Sequence, residues 1–226
     1  MAHIFPAPHL AEPNGLLAVG GDLHPDRLLL GYTMGIFPWY SDGQPILWHA
    51  PDPRFVLFPD ELRISRSLRK TMRRRRFRVT LDEDFEQVIR CCAESERPDQ
   101  EGTWITAEME EGYRRLHHLG HAHSVEAWLE GELVGGLYGV ALGDIFFGES
   151  MFAKVSDASK VAFATLVSQL TEWGFKLLDS QVRTDHLATF GARDIPRHSY
   201  TALLRRCLGG PDRRGPWRFD EELLSE

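Results

Sequence analysis

The chain of 226 residues has room for one large domain, or an ordinary domain with a small companion, and can bury a core without staples. Hydrophobic residues make up 42% and charged residues 26%, which excludes wholesale disorder, and no apolar run approaches the roughly 18 residues that span a membrane. A net charge of −7 argues against a general nucleic-acid coat.

The average charge hides an asymmetry. Residues 63–78 hold Arg63, Arg66, Arg69, Lys70, Arg73, Arg74, Arg75, Arg76 and Arg78, with no acid among them. Such an island on an acidic body reads either as a solvated helix face or as a surface for a polyanion, and nine like charges favour the second. The N-terminus lacks the charged and apolar regions of a secretory signal. The three cysteines, Cys91, Cys92 and Cys207, form no spaced framework and read as free thiols of a reducing compartment. No C-x-x-C or H-E-x-x-H spacing points to a metal.

In chain order, residues 1–60 are rich in Pro and Gly and predict a small irregular N-terminal domain, with one short helix over 25–34. Residues 61–75 predict a basic helix. Residues 77–81 alternate as a strand, and Asp82 is placed as the cap of a helix carrying Phe85, Val88, Ile89 and Cys92. After a polar loop, Thr106 is a candidate N-cap for a helix with Met109, Tyr113 and Leu116.

A three-strand meander follows over 122–129, 133–142 and 145–152, turning at Glu130-Gly131 and Gly143-Asp144. Asp157 then heads a helix with an Ala162, Leu166, Leu170 and Trp173 stripe, closed by Gly174. Residues 175–182 read as a strand, a short helix is expected over 186–190, and the tail adds residues 200–207 without an assigned element. From residue 77 the order is β-α-α-β-β-β-α-β-α, an α+β arrangement that occupies 61–226. That order resembles the N-acetyltransferase (GNAT) superfamily, so the expected fold is a GNAT-like mixed sheet.

Collinear blocks carry a more specific resemblance. Among them are Asn14-Gly15-Leu16-Leu17-Ala18-Val19-Gly20-Gly21-Asp22-Leu23, Gly35-Ile36-Phe37-Pro38-Trp39, Pro51-Asp52-Pro53-Arg54, Gly102-Thr103-Trp104-Ile105, Phe147-Gly148-Glu149-Ser150-Met151-Phe152 and Asp157-Ala158-Ser159-Lys160. From about residue 5 to 205 the chain resembles the leucyl/phenylalanyl-tRNA–protein transferase family. The resemblance implies transfer of Leu or Phe, less readily Met, from aminoacyl-tRNA to proteins beginning with Arg or Lys. It implies marking for N-degron degradation in the cytoplasm, no metal, no other cofactor, no membrane, and a monomer.

The implied reaction is aminolysis of an ester, which needs a deprotonated amine, donors for an oxyanion and an apolar pocket. Asp179 and Gln181, spaced i, i+2 on the expected strand, share a face, and the resemblance makes them the catalytic relay. Gln181 accepts a hydrogen bond from the amine, and Asp179 polarises that bond or takes a proton. On pattern alone an ordinary polar sheet face is the favoured reading, which the resemblance reverses. Glu149 lies in an apolar run where a carboxylate is costly without a partner, unless it points outward on an alternating strand. The resemblance makes it a substrate-pocket residue, fit to bind the α-ammonium of the aminoacyl group.

Leu137, Phe146, Phe163, Leu170 and Leu178 are the expected walls of the side-chain pocket, and equally read as plain core. Trp39, Trp104 and Tyr113 correspond to the aromatics around the terminal adenosine, and His49-Ala50 departs from the family's usual Trp-Ser pattern after Trp48. Arg66, Arg69, Lys70, Arg73, Arg74, Arg75 and Arg76 are the expected tRNA contacts, positioning by phosphate without reading sequence.

Two rival functions stay open on sequence. An acetyl-CoA-dependent N-acetyltransferase would want a glycine-bearing turn before the helix at 158, where residues 153–160 contain none and place an acid. A non-catalytic RNA-binding module would use the arginines and not Asp179 or Gln181.

Overall fold

The computed structural model describes residues 4–95 and 105–220. Ten strands and seven α-helices are formed among them. Strands β1 (Leu16–Val19), β2 (Phe37–Pro38) and β3 (Leu47–His49) make a small antiparallel sheet in the order β1-β3-β2, beside helix α1 (Pro25–Thr33). Helix α1 begins where His24 accepts the Asp26 amide, with Pro25 in the first turn, the position where a missing N–H costs nothing.

The larger sheet has seven strands in the order β10-β4-β9-β8-β7-β6-β5. They are β4 (Arg54–Leu57), β5 (Arg78–Leu81), β6 (Ala122–Leu129), β7 (Glu132–Leu142), β8 (Ile145–Ala153), β9 (Leu177–Asp179) and β10 (Arg193–Ile195). All neighbours are antiparallel except β8 and β9, which helix α5 (Ala158–Glu172) connects in parallel. A parallel pair requires such a crossover. The meander and the crossover stand where the sequence places them. Strands β4 and β10 are additions, and β4 carries the large sheet back across the expected boundary at residue 60.

Helices α1, α3 (Phe85–Glu94), α4 (Ala107–His118) and α7 (Arg197–Cys207) join the small sheet over one face, with Phe147, Tyr138 and Leu177 from the strands. Helices α2 (Arg66–Arg73) and α5 cover the other, with Phe146, Leu137 and Leu178. A short helix α6 (Asp185–Ala188) leads towards β10. The three cysteines are free and buried. Among the described residues no helix is long and apolar enough to cross a membrane.

Three local expectations change. Helix α3 is capped by Asp84, whose carboxylate accepts the Gln87 amide, not by Asp82. Asp82 instead adopts φ +54 and accepts the Ser124 and Trp217 amides and the His123 ring, so long-range partners claim the carboxylate that local pattern assigned to a cap. Asp157 does stand at the N-cap of α5, but its carboxylate serves Thr71 and Lys160. Strand β9 ends at Asp179, three residues before the sequence suggests, so Asp179 and Gln181 are not neighbours on one strand face.

Candidate active site

The site begins where β8 and β9 part. Their pairing runs Ile145↔Leu177, Phe146↔Leu178 and Phe147↔Asp179 and then stops. Period-2 alternation sends Phe146 and Leu178 to the α5 face and Phe147 and Asp179 to the opposite face. Beyond the last pair, Gly148 and Glu149 face the turn of Ser180 and Gln181. A Cβ built on Gly148 would find its nearest neighbours at 3.8–3.9 Å, in the backbone of Asp179 and the side chain of Leu178.

Glu149 owes its aim to a bulge. On β7 and β8, Tyr138 pairs with Ser150 and Gly139 with Gly148, so Glu149 is the extra residue. Bulges re-aim side chains, and this one turns Glu149 into the α1/α4 face. There Oε1 accepts the Tyr32 hydroxyl at 2.7 Å and Oε2 the Tyr113 hydroxyl at 2.7 Å. The two hydroxyls are themselves 2.7 Å apart. Burial is the main cause that raises the Glu149 carboxyl to about 7, against the phenol donors, which hold it down. Burial, then the nearby Glu149 charge, raises both phenols well above their ordinary value.

Asp179 is fully buried and saturated. Its Oδ1 accepts Arg54 Nε at 2.8 Å and the Gln181 amide at 2.9 Å, and its Oδ2 accepts Arg54 Nη2 at 2.7 Å and the Tyr200 hydroxyl at 2.6 Å. The fork of Arg54 matches the carboxylate with two parallel bonds. Burial, the largest single influence, lowers the Arg54 pKa, but the Asp179 charge, the Tyr200 phenol, the Asp179 hydrogen bonds and the Glu149 charge together outweigh it and raise it. Arg54 also donates to the Gly35 carbonyl and lies between the Phe37 and Tyr200 rings, 4.9 and 4.6 Å from their centroids.

Gln181 joins the two networks. Its backbone sits at φ +58, a left-handed conformation uncommon outside glycine. The Asp179 carboxylate holds its amide, and β4 clamps the turn through Phe55 N to the Gln181 carbonyl and Ser180 N to the Phe55 carbonyl. Its side-chain Nε2 approaches Glu149 Oε1 at 3.4 Å and the Asp179 carbonyl at 3.5 Å. Both are acceptors, so the amide nitrogen must be the end that faces them. Oε1 accepts no hydrogen bond among the described residues and so has capacity for an N–H donor.

Gly35 supports this arrangement from behind. It has φ +75, and a Cβ there would stand 2.7 Å from Tyr200 Cε1. Gly35→Ala is expected to push Tyr200 off Asp179 and to cost about 1–3 kcal/mol, read as a lowered thermal midpoint.

The expected pocket residues Leu137, Phe146, Phe163, Leu170 and Leu178 are all buried and meet in one apolar cluster beneath the sheet. Glu149 and Asp179 lie on the other face, and the β8/β9 pairing that separates the two sets ends at Phe147↔Asp179. Tyr113 is fully buried with its hydroxyl on Glu149, so it offers no ring face to a base. Trp39, half-buried, meets His49 edge-on at 5.7 Å, and His49 Nδ1 is buried without a partner among the described residues. Trp104 lies outside the described residues. Of the basic residues, Arg66, Arg69, Lys70 and Arg73 lie on α2 and Arg74, Arg75 and Arg76 just beyond it. All seven are exposed, while Leu68 anchors the helix.

Sequence reasoning passed over Arg54, Tyr32 and Tyr200 as site residues. For Arg54 a signal existed: a cation heading the apolar run Arg54-Phe55-Val56-Leu57-Phe58 needs a buried partner. Tyr32 and Tyr200 carry no such mark, since a tyrosine on an apolar helix face reads as core.

The family model "Leucyl/phenylalanyl-tRNA protein transferase" matches residues 56–205, and that of the family's N-terminal domain matches residues 21–52. The chain is 59% identical to the leucyl/phenylalanyl-tRNA–protein transferase of Myxococcus xanthus over 214 residues, covering 95% of this chain and 92% of that one. It is 61% identical to that of an Anaeromyxobacter species (strain Fw109-5) over 217 residues, covering 96% and 92%. Among solved structures it resembles a Staphylococcus epidermidis protein described as functionally unknown, with a TM-score of 0.44 at 8% identity, covering 80% and 68%. The longer match takes in the second half of β4, the bulged β8 and the Asp179–Gln181 turn, and by these matches and relatives this chain belongs to the leucyl/phenylalanyl-tRNA–protein transferase family.

Proposed function

We propose that the protein transfers Leu or Phe, less readily Met, from aminoacyl-tRNA to the α-amine of proteins beginning with Arg or Lys, marking them for N-degron degradation in the cytoplasm. The observation that carries this reading is the Gln181 turn. A left-handed glutamine, locked by a saturated Asp179–Arg54 pair, presents an amide oxygen that is unpaired among the described residues, beside a carboxylate and across the sheet from an apolar cluster. Family membership supplies the reaction class.

In this reading the aminoacyl side chain enters the β8/β9 gap towards Phe146, Phe163, Leu170, Leu178 and Leu137. An apolar lining of that kind rejects charged side chains strongly and methylene differences by only about 10- to 200-fold. Gln181 Oε1 orients the attacking amine, and Asp179 positions Gln181. Because the ester is already activated, positioning supplies much of the acceleration. The exposed cations of α2 hold the acceptor stem, and Trp39 with His49 forms an aromatic corner for the terminal adenosine. The strand order and the parting of β8 and β9 support a GNAT-like sheet, and in this reading the protein works as a monomer. The Asp157 carboxylate at the start of α5 opposes a diphosphate there, which disfavours an acetyl-CoA donor.

The test is transfer of labelled Leu from Leu-tRNA to two peptides that differ only in N-terminal Arg or Ala, with acetyl-CoA offered separately. Labelling of the Arg peptide alone is expected. Gln181→Ala is expected to lower the single-turnover rate about 10²-fold while tRNA affinity stays within twofold. Equal loss of rate and affinity would refute its orienting role.

A further inference from the structure

The reaction must move a proton. A neutral amine attacks the ester carbonyl, the new C–N bond leaves the nitrogen positively charged, and the C–O bond to the ribose breaks. The proton lost by nitrogen balances the proton gained by the ribose oxygen. An amine that arrives protonated releases one further proton to solvent. Asp179 is badly placed to take the proton. All four of its hydrogen-bonding positions are occupied by donors, and no part of it is exposed.

Glu149 is differently situated. Three oxygen pairs among Glu149, Tyr32 and Tyr113 lie at 2.7 Å, which makes a closed ring of three hydrogen-bond lengths. Two phenol protons fill only two of them. With Glu149 ionised, both phenols donate to the carboxylate and the pair of hydroxyls holds no proton between them. With Glu149 protonated, the carboxyl donates to one phenol, that phenol to the other, and the second back to the carboxyl. The ring therefore has a place for one more proton than it carries when Glu149 is ionised. Gln181 Nε2, 3.4 Å from Glu149 Oε1, sets this ring beside the amine-orienting amide.

We infer that the Tyr32–Tyr113–Glu149 ring is the proton acceptor of the transfer reaction, taking the proton from the attacking nitrogen and returning it to the departing ribose oxygen. The inference rests on the aminoacyl-transfer reading above. Groups of several elements face Glu149: Tyr32 from α1, Tyr113 from α4, with Tyr138 of β7 edge-on to it, Arg54 from β4 and Asp179 from β9, the last two backed by Tyr200 of α7. Burial chiefly, and the Asp179 charge secondarily, raise the carboxyl to about 7, where a base is half ionised at neutral pH, while the phenols and Arg54 oppose them. Tyr32 and Tyr113 act through Glu149 and are positioning residues.

The experiment measures the single-turnover rate of Phe transfer from Phe-tRNA to an Arg-initiated peptide against pH. The acceptor amine titrates near 8, which gives one limb in every variant. Wild type is expected to show a second limb below about pH 7, where the rate falls with the loss of two ionisations. E149Q is expected to lose that limb and about 10²-fold or more in rate, with tRNA affinity unchanged. Tyr113→Phe removes a donor to the carboxylate and is expected to move the second limb to higher pH. D179N is expected to be slower but to keep both limbs.

Retention of the limb in E149Q, an unmoved limb in Tyr113→Phe, or its loss in D179N alone would overturn the inference while leaving the transferase reading intact. Absence of any transfer by the wild-type protein would overturn both. Should E149Q fail to fold, the Tyr113→Phe displacement decides.

Discussion

Arg54→Met is expected to destabilise the protein by about 3–5 kcal/mol. The substitution leaves Asp179 buried with its negative charge and removes two of the four bonds that satisfy it. Methionine refills much of the volume between Phe37 and Tyr200, so the loss reports an uncompensated charge more than a cavity. Breaking one partner of a buried pair costs more than the pair itself contributes, because desolvation of the other is no longer repaid. Chemical denaturation with an unchanged slope and a lower midpoint is the expected record. Arg54→Met combined with Asp179→Leu should recover a large part of the stability without recovering transfer, since Gln181 then has no carboxylate to hold its amide. A single Arg54→Met within 1 kcal/mol of wild type would show that the pair contributes little.

Replacing Arg66, Arg69, Lys70 and Arg73 together by alanine is expected to lower tRNA affinity about 10²-fold or more at low salt. The log–log salt slope should become shallower by about 0.9 for each duplex phosphate that the variant no longer neutralises. All four side chains are exposed, and Leu68, which packs the helix, is untouched, so stability should change little. A minimal 3′-aminoacyl adenosine, which has no stem to hold, should be used as well as before. Equal loss with the minimal donor would place the cations in the reaction site instead of on the stem. Undiminished tRNA affinity would return the basic run to a solvated helix face.

Much of the fold was legible because its signals are local. The meander rests on alternation and two turns at Glu130-Gly131 and Gly143-Asp144, and β6, β7 and β8 form at those places. Helix α5 rests on a stripe at helical spacing, and Gly174 follows it at φ +82. Thr106 caps α4 through its own hydroxyl. Charge patterning is local in the same sense, and the cation run does lie exposed on and after α2. The side-chain types of the site, an acid and an amide in 179–181 and an acid in 146–152, were also readable there.

Their geometry was not, because it is a product of long-range pairing. A bulge exists only relative to a partner strand, so no property of residues 145–153 alone tells that Glu149 is the extra residue. The alternation of that run left it as fit for solvent as for a pocket. Asp82 illustrates the same limit: a capping residue by local pattern, it is taken by His123, Ser124 and Trp217, up to 135 positions away. Strand β4 reads as part of an irregular N-terminal segment until β9 and β10 flank it.

Asp179 shows the division most clearly. Its residue type and position are in the chain for anyone to read, and they permit a base, a relay or a polar surface. Arg54 lies 125 positions away, and Tyr200 packs in from α7. Only when those donors fill every lone pair does Asp179 cease to be a candidate proton acceptor and become the anchor of Gln181. Short-range patterning decides which elements form, because capping, turning and alternation act within a few residues. What a buried carboxylate can do depends on the partners that desolvate and satisfy it, and those partners are assembled by the tertiary fold.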